Sequence, residues 1–558
     1  MATIPLLAWL DEPHPGHGVR FAADDGWDTW SYPGLAAFAG RVAHGLQRAR
    51  VGPGDRVLIV HRSGPEFAAT LFGVMAAGAV PCPVAPPLLF HDAQRYAAHV
   101  QAVAAAARPV AAVTLPELRE PLLALLADSG IQVTTVDDLI SGIEDTAGIP
   151  AVKRAETALV QFTSGSSGTV RGVAVPFASL EANVAAIRAW LAMTPEDPTA
   201  SWLPIHHDMG LIGCLLTPVV NQSDLYLLGP EWFVRDPARY LRCFDRGPSA
   251  PGARLTALPN FGLEHITRRV KPEALAGLDL SEWRAVIVGA ERVDAAVLDR
   301  FTALLEPCGF DRRALLPAYG IAEATLAVTG LALDVEFSTA AVDARTLAVG
   351  SPVDPSPDDD EDSLQQVVGC GRPLTGVEVA VVDDEGVPLP EDRLGEIVVR
   401  GTSLTAGYVA AAGTGSPTRF EDEALYTGDA GFLRGGQLYV IGRLGDSVKV
   451  RGRTVFAEDV EAALVAEGIP RTRLAVLLGA SAQGATAVVV IEQGEPEWLA
   501  GARKVVRRVA EGSAGVVLDV PRRTIQRTTS GKPRRRVMWR AYVDGELPGV
   551  VVPAAASS

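Results

Sequence analysis

Residues 163–172 read Thr-Ser-Gly-Ser-Ser-Gly-Thr-Val-Arg-Gly, a run that surrounds one guanidinium with hydroxyls and glycines. Glycine accepts positive φ and lets the backbone approach a ligand closely, so successive N–H groups can converge on an anion. Here Gly165, Gly168 and Gly172 give that freedom, and the hydroxyls of Thr163, Ser164, Ser166, Ser167 and Thr169 add donors. A phosphate is the natural guest, although a flexible Ser/Gly loop has the same composition. The run is not a Walker loop, because Arg171 precedes Gly172 and Val173 where that motif needs Lys followed by Ser or Thr. Nor does a G-x-G-x-x-G open a helix as a dinucleotide site requires. No Ser-His-Asp order calls for a hydrolase, and no His/Cys spacing calls for zinc.

A second candidate lies near the other end, in "RTTSGKPRRR" (527–536). Of 50 basic residues only Lys153, Lys271, Lys449, Lys504 and Lys532 are lysine, so a cation without a special task would be arginine about nine times in ten. A compact ammonium on a flexible stem is not interchangeable with a planar guanidinium, which makes Lys532 a choice to be explained.

These residues need elements to hold them. The segment "ETALVQF" before the loop suits a strand entering a turn. From Leu35 to about Pro86, "LAAFAGRVAHGLQRA", "GDRVLIV" and "GAVPCPVAPP" alternate helix with buried strand, and "RPVAAVTL", "DLYLLG" and "WRAVIVGAE" continue it. That is the pattern of α/β layers with largely parallel strands, and the first four hundred residues read as one large α/β body. After Thr329 the pattern weakens, and "SPVDPSPDDDEDSLQQ" (351–366) reads as an exposed loop or insertion. The short strands "GVEVAVVDDEG", "GEIVVRG" and "GGQLYVIGR" then suggest a β subdomain of hairpins. From about Leu444 the chain reads as a compact α+β unit, long enough to be a separate domain.

Composition narrows the function classes. At 558 residues with 48% hydrophobic and 21% charged residues, the chain has the profile of a globular enzyme of at least two domains. A formal net charge of -16 argues against a general nucleic-acid binder. Residues 501–540 depart from that balance, with twelve Lys or Arg against Glu511 and Asp519: a solvated basic face, or a surface for phosphates or an acidic partner. Five scattered cysteines leave no complete pairing, which fits reduced thiols and a cytoplasmic location. The start carries no basic n-region of a signal peptide, and no apolar stretch is long enough to span a membrane.

Taken in order, seven segments resemble the adenylate-forming enzymes, the superfamily of acyl-CoA synthetases, nonribosomal adenylation domains and luciferases. They are the 163–172 loop, which is similar to T-S-G-[ST]-T-G-x-P-K-G, then "SWLPIHHDMGLIG" (201–213), "VGAE" (288–291), "YGIAEATLAV" (319–328), "YTGDAGF" (426–432), "GRLGDSVKVRG" (442–452) and "RTTSGKPRRR". "LPIHHDMGLIG", "PNFGLEH", "YGIAEATLAV" and "VGCGRP" look most like fatty acyl-AMP ligases, a branch with an insertion where residues 331–367 stand. The resemblance implies an N-terminal domain over 1–443 of layered α/β subdomains plus a β subdomain, followed by a small mobile α+β domain over 444–558.

It also implies a two-step reaction. A carboxylate attacks the α-phosphorus of ATP to give an acyl-adenylate and pyrophosphate, and a thiol of CoA or of carrier-protein phosphopantetheine then takes the acyl group and expels AMP. By resemblance Thr163, Ser164, Gly165, Ser166, Ser167, Gly168 and Arg171 hold the outer phosphates, and Glu323 binds Mg²⁺, a hard cation suited to carboxylate and phosphate oxygens. Gly289, Ala290 and Glu291 with Tyr319 and Gly320 enclose the adenine, Tyr319 stacking through its ring. Asp429 accepts the ribose hydroxyls, Arg443 supports the ribose or α-phosphate, and the pivot lies near Leu444 to Asp446. Lys532 bridges the carboxylate and α-phosphate oxygens. His207 and Asp208 stand along the acyl or thiol entrance, or form a satisfied pair in the core.

The departures from the family pattern are Arg171 for its Lys and Val170 for its Pro. They raise the alternative of a relative that only converts a preformed acyl-adenylate, and, in another class, of a non-catalytic nucleotide-binding scaffold. The acid and the pathway, lipid or specialised-metabolite, are not legible, since pocket-lining apolar residues look like core.

Overall fold

The computed structural model describes residues 4–24, 26–87, 93–144, 148–164, 170–247, 252–343, 347–354, 364–409, 418–450, 453–481, 484–509, 514–528 and 531–552. The large lobe is built on two sheets with helices between and outside them. Strands β1 (Gly18–Ala23) and β2 (Gly26–Ser31) form a hairpin at one edge of the larger sheet. Helix α1 (Tyr32–Arg48) follows directly, opened by the Ser31 hydroxyl, which accepts from the Gly34 N–H at 3.2 Å. Next come β3 (Arg56–Val60), α2 (Pro65–Ala76), β4 (Val80–Pro83), α3 (Ala93–Ala107), β5 (Ala111–Thr114) and β6 (Gln132–Thr135). Those four strands pair in parallel in the order β4-β3-β5-β6.

The chain then makes the hairpin of β7 (Thr157–Ser164) and β8 (Val170–Pro176) and passes through α4 (Phe177–Trp190). The larger sheet is completed by β9 (Thr199–Ser201), β10 (Leu225–Leu227), β11 (Leu255–Leu258), β12 (Ala285–Val288), β13 (Leu315–Gly320), β14 (Ala327–Gly330) and the short β17 (Arg372–Pro373). Its order is β17-β14-β13-β12-β11-β9-β10-β1-β2, parallel from β13 to β1. Helices α1 and α2 lie between the sheets. Their apolar faces share one core with Val57, Ile59 and Val113 of the smaller sheet and with Val19, Phe21, Leu225 and Leu227 of the larger. Helix α3 covers the outer face of the smaller sheet, while α5 (Asn260–Arg269) and α6 (Ala295–Leu305) pack on the larger. Strands buried on both faces explain why their sequences read as unbroken apolar runs.

The stretch expected to be an irregular insertion contributes a two-stranded antiparallel ladder, β15 (Thr339–Asp343) against β16 (Leu364–Val368). The β subdomain follows as expected: β18 (Val377–Val382), β19 (Gly395–Gly401), β20 (Arg419–Glu421), β21 (Ala424–Arg434) and β22 (Gln437–Arg443), all antiparallel.

A single 3₁₀ turn, Leu444–Asp446, leads to the small lobe. There β23 (Ser447–Val450) and β24 (Arg453–Phe456) form a hairpin, followed by α7 (Ala457–Ala466). A sheet of β25 (Leu474–Ser481), β26 (Gly484–Glu492), β27 (Ala514–Val520) and β28 (Val550–Val551) carries α7 and α8 (Pro496–Val509) on one face and α9 (Arg535–Val543) on the other. The basic stretch 501–540 is therefore divided between opposite faces of one sheet. Arg508 lines the cleft between the lobes, and Arg535 is buried among acids.

All five cysteines are free thiols, and Cys82, Cys214, Cys243 and Cys370 are buried. Burial pushes the Cys82, Cys243 and Cys370 thiols up to about 12 and Cys214 up to about 11. Among the described residues no helix is long and apolar enough to cross a membrane.

Candidate active site

Parallel strands place their C-terminal ends, and the loops after them, on one edge of a sheet, where α/β folds gather ligands. In this chain the residues following β9, β11, β12 and β13 line a single cavity of about 1540 Å³, closed from above by the small lobe. Thr163, Arg171, His207, Gly289, Ala290, Glu291, Tyr319, Gly320, Glu323, Asp429, Arg443 and Lys532 all line it, and so does Asp208. Ser164 ends β7, and Gly165, Ser166, Ser167 and Gly168 lie outside the described residues.

The segment after β12 is shaped by its backbone. A Cβ on Gly289 would come within 2.9 Å of the Ala318 carbonyl oxygen, and Ala290 takes φ +68°, a left-handed conformation that L residues adopt at a cost of about 1–3 kcal/mol. Glu291 Oε1 accepts from the Phe261 N–H at 2.9 Å, in the first turn of α5. After β13, a Cβ on Gly320 would stand 2.1 Å from the Leu326 carbonyl oxygen, so only glycine fits.

Asp429 and Arg443 face each other as register partners of β21 and β22. Arg443 Nε donates to Asp429 Oδ1 at 3.0 Å, and the Tyr319 hydroxyl donates to Asp429 Oδ2 at 2.7 Å. The aspartate pulls the guanidinium pKa upward against the opposing effect of burial. Burial, then the neighbouring carboxylate, pushes the Tyr319 phenol well above its ordinary value, so it stays a donor. Each carboxylate oxygen thus keeps one donor and has capacity for another, which suits a vicinal diol.

At the opposite end Glu323 sits in the 3₁₀ turn Ala322–Ala324, only 4% exposed. The N–H and hydroxyl of Thr405 hold its backbone carbonyl at 3.0 and 2.9 Å. The Tyr408 hydroxyl donates to Glu323 Oε1 at 2.6 Å, and Arg171 Nη1 donates to the same phenol at 3.1 Å. Residues 406–409 pair with β8 as an extra strand, through Ala174 N–H to Gly407 O and Val409 N–H to Gly172 O, both 2.8 Å. No spacing in the sequence singles out Tyr408, a lone aromatic in a run of small residues. Thr163 is the register partner of Arg171, and its buried hydroxyl finds no protein partner among the described residues. With the Glu323 carboxylate it offers hard oxygen donors of the type Mg²⁺ takes. Among the described residues no three His, Cys, Asp or Glu side chains gather into an all-protein metal cage.

Asp208 opens a π-helix, Met209–Leu216, which the sequence did not announce, and its Oδ1 accepts from the Met209 N–H at 2.8 Å. Such wide turns recur at functional sites. Burial raises the Asp208 pKa, opposed by the Met209 N–H and by Lys532. His207 stands beside it with its ring 4.7 Å from that of His206, whose carbonyl accepts from Gln161 Nε2 at 2.7 Å.

Lys532 crowns a tight turn in which Thr528 N–H donates to Lys532 O at 2.8 Å and Lys532 N–H donates to Thr528 Oγ1 at 3.1 Å. Its side chain is open to the cavity, yet both lobes surround it. Its pKa is displaced downward, first by loss of hydration and then by Arg443, against the pull of Glu291, Asp208 and Asp429. The lobes are joined by Arg292, which bonds Asp459 of α7 and donates to Gln365 of β16 at 3.0 Å, and by Arg471 to Asp294 at 3.6 Å.

A sequence model of the family described as AMP-binding enzyme matches residues 12–409. The medium-chain-fatty-acid–[acyl-carrier-protein] ligase JamA of Moorena producens is 29% identical over 553 residues, covering 93% of this chain and 91% of that protein. The putative ligase Rv1013 of Mycobacterium tuberculosis is 31% identical, covering 88% and 91% respectively. Among solved structures, one from a study of the fatty acyl-adenylate ligases of E. coli and L. pneumophila superposes with a TM-score of 0.86 at 28% identity, covering 97% of this chain and 98% of that one.

Proposed function

We propose, from the premise that this chain belongs to the AMP-binding enzyme family, that it activates a carboxylic acid bearing an apolar chain as its acyl-adenylate and passes the acyl group to a phosphopantetheine thiol. The observation that carries this reading is the convergence of Asp429, Arg443, Glu323 and Lys532 on one cavity from both lobes.

In the first step a carboxylate oxygen attacks the α-phosphorus and pyrophosphate leaves. Negative charge builds on the oxygens around phosphorus, so positioning and electrostatics do most of the work. Asp429 takes the ribose hydroxyls, with Tyr319 and Arg443 fixing its two oxygens. The Lys532 ammonium spans the incoming carboxylate and the α-phosphate. Glu323 and Thr163 are the residues that would hold Mg²⁺, which supplies charge neutralisation to the phosphates when bound. Arg171 and the hydroxyls of 163–169 meet the leaving pyrophosphate. In the second step the thiol sulfur attacks the acyl carbon, the thiol proton is given up, and AMP departs with the bonding electrons. The 3₁₀ turn Leu444–Asp446 is the pivot that changes the pose of the small lobe between the steps.

The acyl chain would lie against the apolar lining residues Ile187, Leu191, Met193, Cys214, Leu255 and Ile287, of which Leu255 and Ile287 belong to β11 and β12 of the larger sheet. A carrier protein is favoured over free CoA as the acceptor by the likeness to an acyl-carrier-protein ligase. Arg171, the departure behind the alternative of a chain that only uses preformed acyl-adenylate, still lines the cavity beside Glu323, which supports the two-step reading.

The test is acid-dependent exchange of labelled pyrophosphate into ATP across saturated fatty acids of increasing length, followed by mass detection of the acyl-adenylate. Thioester formation is then compared between CoA and a phosphopantetheinylated carrier protein. Exchange with at least one fatty acid is expected. Absence of exchange with every acid, with thioester formed from supplied acyl-adenylate, would replace this reading by the one-step alternative.

A further inference from the structure

The contact of Glu323 with Tyr408, and of Tyr408 with Arg171, is not needed to close the fold. The backbone of residues 406–409 is already secured by its ladder to β8, and the phenol oxygen still stands 2.6 Å from one carboxylate and 3.1 Å from one guanidinium. We propose that Tyr408 is a positioning residue that couples the cation-binding carboxylate of Glu323 to the phosphate loop through Arg171. The proposal rests on the adenylation reading above.

Three observations carry it. Glu323 is held by its main chain, through Thr405, and separately by its side chain, through Tyr408, so the phenol fixes the carboxylate where the backbone alone leaves the side-chain torsions free. The phenol occupies only part of the accepting capacity of Oε1, leaving the rest of the carboxylate for a cation. Arg171 lies with its guanidinium carbon 5.0 Å from the centre of the Tyr408 ring while Nη1 donates to the hydroxyl, so one aromatic side chain holds the arginine by face and by edge atom.

A consequence concerns charge. A divalent cation arriving at Glu323 raises the positive potential two bonds away from Arg171 along this relay, and the guanidinium is better accommodated by the phosphates of the loop than by a neutral phenol. The pairing also accounts for an arginine at 171: a guanidinium can bond the phenol edge and lie over its ring, which a point-charge ammonium does less well.

The experiment uses the full chain and Mn²⁺ as the cation probe. Binding is followed by the loss of free Mn²⁺ signal in electron paramagnetic resonance, with α,β-methylene-ATP present, for wild type, Tyr408→Phe and Arg171→Gln. Tyr408→Phe keeps the ring and removes only the hydroxyl. We expect its Mn²⁺ dissociation constant to rise about tenfold, and the loss in pyrophosphate exchange to exceed the loss in thioester formation from supplied acyl-adenylate by at least tenfold. Arg171→Gln should raise the Mn²⁺ constant about three- to fivefold, less than Tyr408→Phe because the Glu323–Tyr408 bond survives, and should raise KM for ATP. A Mn²⁺ constant for Tyr408→Phe within twofold of wild type overturns the proposal, as does an equal loss in both half-reactions. If Tyr408→Phe does not fold, Arg171→Gln decides: a Mn²⁺ constant within twofold of wild type there overturns the relay. Failure of the parent reading looks different, since wild type would then bind the nucleotide analogue and Mn²⁺ and still exchange no pyrophosphate with any acid.

Discussion

Two cations three residues apart in the same tail have opposite surroundings. Arg535, at the start of α9, is 13% exposed and meets three carboxylates: Asp446 at 3.1 Å, Glu458 at 2.9 Å and Glu461 at 2.9 Å. Lys532, on the turn before it, faces Glu291, Asp208 and Asp429 across the cavity, and those acids raise its pKa by less than desolvation and Arg443 lower it, a net downward shift. One cation is consumed in tying α9 to α7 and to the 3₁₀ turn between the lobes. The other is left with charge to offer. The lesson is that the small lobe separates the residue that fixes its own shape from the residue proposed to act in the cavity, and a planar fork suits the first task as a compact ammonium suits the second.

The sharpest way to break that contrast is Arg535→Met, which leaves buried carboxylates uncompensated. A cost of about 3–5 kcal/mol to the small lobe is expected. It should be read as a lower melting transition and faster proteolysis after residue 446. Lys532→Ala should leave folding alone and cost adenylation about 10²–10³-fold, the size seen when one transition-state donor is removed. Pyrophosphate exchange measures it, and Lys532→Arg should not restore the rate. Asp429→Asn removes the charge from the proposed ribose contact and should raise KM for ATP about tenfold to a hundredfold, the worth of a charged hydrogen bond.

The pH profile sharpens the comparison further. In its proposed role Lys532 acts protonated, and its pKa is displaced downward, so adenylation is expected to fall as pH rises through a value below that of an ordinary lysine. The Arg535 pKa is raised, so its ties persist over the same range. A rate that stays flat to the ordinary lysine value would contradict the placement of Lys532. The smallest effect is expected from Arg471→Ala, whose pair with Asp294 spans 3.6 Å with both side chains 30% exposed. Loss of about 0–1 kcal/mol in lobe-to-lobe contact should barely change either half-reaction.

What was legible in the sequence follows from what leaves a local mark. Strands such as "GDRVLIV" and "WRAVIVGAE" announced themselves because burial on both faces leaves an unbroken apolar run. Lys532 stood out against a background of arginine. Asp429, Arg443, Glu323 and Tyr319 came with short motifs, and the structure brings them to one cavity. Partners fixed only by distant pairing left no such mark. Tyr408 reaches Glu323 across 85 positions, and Arg292 meets Asp459 across 167. The basic stretch 501–540 looked like one surface because one-dimensional charge counting cannot see that β26, β27 and β28 stand between α8 and α9. The ladder of β15 and β16 was hidden because its two strands are separated by the Pro- and Asp-rich run.

The buried sulfurs have a practical consequence. Four of the five thiols are withdrawn from solvent with elevated pKa values, and Cys308 is partly covered and donates to the Leu275 carbonyl at 3.6 Å. Alkylating reagents at neutral pH should therefore find little native background. A single cysteine introduced on each lobe could carry a fluorophore pair without first stripping the chain, so the proposed change in pose of the small lobe could be looked for during turnover.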